Sequence, residues 1–104
     1  MSKDIIQELT AEIRSFADAR DWHKFHTPKN LAMALVGEAG ELVSEFQWLT
    51  PEESELTSLS PENRKAIEME LADIQIYLLR LADVLNIDVA KAVREKIQIN
   101  ETRF

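Results

Sequence analysis

The sequence predicts an all-α fold: a four-helix bundle in a single domain over residues 1–104, assembled into a homo-oligomer. Apolar residues recur at three- and four-residue spacing along most of the chain, the period of a helix with one buried face. Only two glycines and three prolines interrupt 104 residues, and 45% apolar against 30% charged is a profile of packed helices and not of disorder. No stretch alternates apolar and polar residues as a half-buried strand does.

Ile6, Leu9, Ile13 and Phe16 set the first helix, from about Lys3 to Arg20. The segment DWHKFH breaks the pattern. Thr27-Pro28 then supplies an N-cap followed by a proline at the first helical position, and opens a second helix through Leu31, Leu35, Leu42 and Phe46 to about Leu49. TPEESELTSLSPEN is the one polar, breaker-rich linker. Ser60-Pro61 repeats the cap-plus-proline signal and starts a third helix through Ile67, Ile74, Leu78 and Leu81 to about Leu85. Asp88 caps a short fourth helix through Val89, Val93 and Ile97.

Composition narrows the function. With zero cysteines there is no disulfide framework, zinc-thiolate site or iron–sulfur cluster, and a reducing cytoplasm is the expected compartment. No stretch approaches the roughly 20 apolar residues of a membrane span, and MSKDIIQELTAEIR has no apolar run of the kind a signal segment carries. A net charge of −7 argues against a nucleic-acid polymer as partner, because a duplex is held by clustered Lys and Arg. A free nucleotide is still accessible to an acidic protein if divalent cations stand between its carboxylates and the phosphates.

The placement of the acids is therefore decisive. At 100° per residue, with Glu38 at zero, the apolar stripe of the second helix falls between about 20° and 80°, Glu41 near about −60° and Glu45 near about −20°. With Glu70 at zero, the stripe of the third helix spans the same arc and Asp73 falls near about −60°. Each helix thus carries an acid pair at i and i+3 on the same flank of its stripe. A single such pair is usually a solvated face. Two matched pairs bordering a core would be desolvated and mutually repulsive, and a divalent cation turns that cost into a ligand set. All-oxygen ligands without histidine favour Mg²⁺, with Mn²⁺ as the alternative. His23 and His26, in the connector between the first two helices, read as cap or surface residues. Gly37 and Gly40 each cost roughly 1 kcal/mol relative to alanine inside a helix, so they either admit a closely packed helix or leave space for a ligand.

These residues carry a resemblance. Glu38-x-x-Glu41, 28 residues, then Glu70-x-x-Asp73 resembles the ExxE…ExxD signature of the MazG-like all-α nucleoside triphosphate pyrophosphatases. DWHKFHTPKNLAMALVGEAGELVSEFQW, ELADIQIYLLRLAD and KIQINETRF are similar to the dCTP pyrophosphatase branch, over nearly the whole chain from Ile6 onward. The resemblance implies cleavage of a (deoxy)nucleoside triphosphate between the α and β phosphates, giving monophosphate and pyrophosphate, with Mg²⁺ as cofactor. It makes Glu38, Glu41, Glu70 and Asp73 the metal ligands. Trp22, Trp48 and Tyr77 become aromatic residues of the nucleotide pocket, and Lys96 and Asn100 residues of the fourth helix that reach the substrate. It implies homodimers or tetramers with sites formed between subunits. It also sets Ile13 at a position where mammalian relatives carry histidine, and extends to a short tail beyond residue 104.

From the residues alone, Tyr77 lies on the acid side of its stripe, while Trp22 and Trp48 suit either a stacked base or core packing. Lys96 and Asn100 share a helix face that suits phosphate recognition or plain solvation. The expected chemistry is attack of a cation-activated water on the α-phosphorus, with Glu41 accepting the proton and Glu45, one turn on, as the other candidate base. A different class fits the same composition: a non-enzymatic helical module that binds a metal, a nucleotide or a partner protein. A core this small is expected to be completed by other copies, through the first helix and through Leu71 and Leu79 of the third.

Overall fold

The computed structural model describes residues 4–104, so the expected start of the first helix at Lys3 lies outside the described residues. Four helices follow one another: α1 (Ile5–Ala19), α2 (Pro28–Phe46), α3 (Pro61–Val84) and α4 (Val89–Arg103). No strand occurs among the described residues. The caps fall where the residue types place them. The side chains of Thr27, Ser60 and Asp88 accept from the backbone N–H groups of Asn30, Asn63 and Lys91 at 3.2, 3.1 and 3.1 Å, with Pro28 and Pro61 in the first turns behind the first two.

α1 and α3 end alike. Asp21 and Asn86 adopt left-handed φ values of 55° and 56°, and the next N–H groups, of Trp22 and Ile87, reach back to the carbonyls of Ala17 and Ala82 at 3.0 and 2.8 Å. This is the Schellman closure, made with Asp and Asn in place of the usual glycine. At α1 it turns the chain so that Trp22 returns against Phe16, ring centroids 5.6 Å apart in an edge-to-face pair. The polar linker is also ordered locally. Thr50 and Glu53 form a reciprocal capping box, Thr50 N–H to Glu53 Oε1 at 2.8 Å and Glu53 N–H to Thr50 Oγ1 at 3.2 Å.

α3 is the centre of the molecule, with α2 packed on one side and α1 on the other. Two stripes of α3 are therefore covered, not one, and its most buried residues, Leu79, Arg80 and Ala82, lie off the stripe that the apolar spacing singles out. Leu79, expected at an outer interface, is 1% exposed and belongs to the core with Ala17, Leu31 and Ala82, because the α1 side of α3 closes over it. Leu71 stays exposed. α4 has no comparable packing partner and leaves Val93, Ile97 and Ile99 open, so within one chain the four helices do not close into a bundle.

One ion-pair chain ties α1 to α3. Arg14 forks onto Asp83, Nε to Oδ2 at 2.8 Å and Nη2 to Oδ1 at 2.7 Å, and the buried Arg80 reaches the same carboxylate at 3.4 Å. The hydrogen bonds from Arg14 hold Asp83 below the usual carboxylate range, against a desolvation that pushes it up. Asp83→Asn is expected to cost about 2 kcal/mol, since it weakens a forked pair and leaves the guanidinium of Arg80 poorly matched. A depressed folded pKa gives stability that is present above the unfolded value, about 3.9, and is lost as pH falls through the folded one. Urea titrations of both proteins should therefore differ at neutral pH and converge in strong acid.

Candidate active site

α2 and α3 run antiparallel, and this decides where the acid pairs meet. Acids displaced in the same sense from two stripes fall on one side of an antiparallel helix pair. Carboxylate oxygens of Glu38, Glu41 and Glu70 lie within 4.8 Å of one another. Asp73 stands just outside that triangle, but its charge acts on both Glu38 and Glu70. Glu38 and Glu70 are half-buried and Glu41 and Asp73 exposed, so the cluster has an inner and an outer rim.

One oxygen of Glu38 and one of Glu70, both Oε2, are buried without a hydrogen-bond partner. Burial, then the charges of Glu41 and Asp73, push the Glu38 carboxyl above its ordinary value. Burial, then the charges of Glu41 and Glu38, do the same to Glu70. Orphaned buried carboxylate oxygens facing other carboxylates are costly, and the arrangement fits a hard divalent cation: oxygen donors only, several negative charges, one open side.

Beside the cluster lies a cleft of about 280 Å³ whose wall includes Glu38 and Asp73 and, away from them, Trp22, Tyr77, His26 and Arg80. Asp73, Tyr77 and Arg80 follow one another at i, i+4 and i+7 on α3, so a single helix face leads from the carboxylates to the far end of the cleft. Ile13 and Phe16 of α1 close the opposite wall. The structure thus brings Glu38, Glu41, Glu70, Asp73, Trp22 and Tyr77 together within one chain. Trp22 is delivered by the connector between α1 and α2 of the same chain. Glu45 is half-buried one turn beyond Glu41.

The remaining expected residues are placed elsewhere. Trp48 is 86% exposed beyond the end of α2, and Lys96 and Asn100 sit on the projecting α4; none of the three lines this cleft. Gly37 and Gly40 face open space, where an added Cβ would meet nothing within 4 Å, so no element among the described residues uses the notch they make. Arg80 is the residue that sequence reasoning passed over, and His26, expected as a cap or surface residue, is half-buried in the cleft wall. The one signal for Arg80 was a lone guanidinium inside the apolar run YLLRLAD, and for His26 only its neighbourhood to Trp22.

Residues 34–104, which include both acid pairs, match the MazG-like family. The chain belongs to the MazG-like family. Within it the chain groups with the dCTP pyrophosphatase branch: it is 46% identical to human dCTP pyrophosphatase 1 over 99 residues, 95% of this chain and 56% of that protein. The bovine dCTP pyrophosphatase 1 is also 46% identical over 99 residues, 57% of its length. The chain thus spans little more than half the length of these curated relatives. Among solved structures, a pyrophosphatase from Archaeoglobus fulgidus superposes with a TM-score of 0.90 at 38% identity, covering 100% of this chain and 95% of that one. The MazG-like fold is all-α, as here, and no helix among the described residues is long and apolar enough to cross a membrane.

Proposed function

We propose that this MazG-like chain is a nucleoside triphosphate pyrophosphohydrolase that splits (deoxy)nucleoside triphosphates, dCTP or a related or non-canonical nucleotide, into monophosphate and pyrophosphate. The observation that carries this reading is the junction of two unlike surfaces: a carboxylate cluster with orphaned oxygens opens onto a cleft walled by Trp22 and Tyr77. A nucleoside triphosphate has the same polarity, anionic at one end and flat and aromatic at the other. The names of the curated relatives and of the Archaeoglobus fulgidus structure support the reaction class.

Glu38, Glu41, Glu70 and Asp73 are the residues that would hold Mg²⁺ or Mn²⁺. When bound, such a cation neutralises phosphate charge and lowers the pKa of water. Glu41, at the exposed rim, would accept a proton from an attacking water, with Glu45 one turn behind it as the other candidate base. Trp22 and Tyr77 offer faces and edges for the base, and the half-buried inner rim excludes bulk solvent from the triphosphate.

Assembly belongs to the same reading. A folded monomer of 11.9 kDa exposes about 6,000 Å², whereas this chain exposes 8079 Å². Its radius of gyration is 16.4 Å against about 13 Å for a compact chain of this length. Met33, Val36 and Val43 of α2, 61–70% exposed, flank the open glycine notch, and the apolar face of α4 is bare. A surplus of roughly 2,000 Å² per chain matches what an obligate homo-oligomer buries, and α4 packed on a second copy is the route by which Lys96 and Asn100 would reach a cleft. Light scattering coupled to size-exclusion chromatography is expected to give a dimer or tetramer at micromolar concentration; a fully active particle of one chain's mass rules this out.

The activity is tested by incubating a panel of nucleoside triphosphates with Mg²⁺ and separating the products. Monophosphate with pyrophosphate is expected. Diphosphate with phosphate points to a different bond, and absence of turnover to a binding module.

A further inference from the structure

We propose that His26 is a fixed hydrogen-bond donor that reads the N3 acceptor of a bound cytosine nucleotide, and that Arg80 is the positioning residue that sets its tautomer. The inference rests on the nucleotide reading of the cleft. It begins from one bond: Nε of Arg80 donates to Nδ1 of His26 at 3.1 Å. A guanidinium has no acceptor, so Nδ1 must present its lone pair. The ring's single proton is then on Nε2. Burial, and then the charge of Arg80, keep a second proton off by lowering the imidazole pKa.

The ring cannot easily turn to exchange its nitrogens, because its partner is itself fixed. Arg80 is 6% exposed and also bonded to Asp83, which is in turn forked by Arg14. Nε2 has no hydrogen-bond partner among the described residues, and His26 shares the cleft wall with Trp22, ring centroids 6.0 Å apart. A neutral donor with one unspent N–H, beside a stacking face, is a reader of base edges. It can satisfy an acceptor and cannot satisfy a donor. Cytosine presents an acceptor at N3 where uracil carries N–H, whereas O2 is an acceptor in both bases and does not tell them apart. A donor held against position 3 therefore favours cytosine over uracil, at no cost in turning the ring.

Calorimetric titrations with the α,β-imido analogues of dCTP and dUTP, in the presence of Mg²⁺, test the assignment on the intact protein. The wild type is expected to bind the cytosine analogue more tightly. His26→Ala should weaken that analogue about tenfold and the uracil analogue much less, the loss expected for one hydrogen bond made in a desolvated site. His26→Gln, which keeps an amide donor within reach, should restore most of the discrimination, an effect that mere packing would not produce. Nitrogen-15 spectra of the imidazoles should show the proton of His26 on Nε2. A wild type without preference, an unchanged ratio in His26→Ala, or a proton on Nδ1 overturns the assignment. If neither analogue binds, the nucleotide reading falls with it. If discrimination follows His26 but dCTP is not hydrolysed, the donor assignment stands and only the hydrolase reading fails.

Discussion

Glu41→Gln is expected to lower triphosphate hydrolysis by about three orders of magnitude while leaving the helical content unchanged. Glu41 is the exposed member of the carboxylate triangle, so the amide meets no packing conflict. The substitution removes a charge that would hold a cation and the base that would accept a proton from water. Asp73→Asn should act in the same direction through its neighbours, since its charge reaches both Glu38 and Glu70. Stability should move the other way. Each acid raises the cost of ionising the buried pair, so Glu41→Gln ought to melt higher than the wild type when both are metal-free. Near-normal turnover in either variant, or a metal-free Glu41→Gln that melts lower, would remove the cluster from the mechanism.

Millimolar Mg²⁺ is expected to raise the melting temperature of the wild type, because a ligand at 100 times its Kd stabilises by about 2.7 kcal/mol. For a chain of this size that corresponds to a shift on the order of 10 °C. The increment depends on pH with a definite sign. Glu38 and Glu70 have raised carboxyl pKa values, so the cation must compete with protons, and its effect shrinks as pH falls toward those values. Taking the difference with and without Mg²⁺ cancels the contributions of Asp83 and His26, which fade on acidification whether or not the cation is present. Scanning calorimetry at several pH values measures it. A thermogram indifferent to Mg²⁺ at neutral pH would mean that the carboxylates do not share an ion.

Much of this is legible in the sequence. Caps at Thr27, Ser60 and Asp88 are local chemistry, satisfied by backbone groups three residues away, and the helices began where those residues stood. The acid pairs were legible for a related reason. Helical periodicity is rigid, so equal angular offsets on two neighbouring helices translate into one shared side once the helices are antiparallel.

What periodicity could not reveal is how many sides of a helix are covered, because that depends on the number of neighbours and not on the helix itself. Leu79 read as an outward residue until α1 closed over it, and α4 read as a fourth wall although no helix among the described residues packs against it as α1 and α2 pack against α3. The sequence by itself determined the helices, their caps and the matched offsets of the two acid pairs, all consequences of short-range geometry, and the antiparallel packing of α2 on α3 then brought Glu38, Glu41 and Glu70 together. Only the tertiary structure decided that the Schellman turn at Asp21 carries Trp22 and His26 to the α1–α3 side of the same carboxylates. It also decided that Arg80, 54 residues from His26 in sequence, fixes the imidazole. A left-handed residue and a long-range hydrogen bond have no period, so they become visible only when the chain has folded.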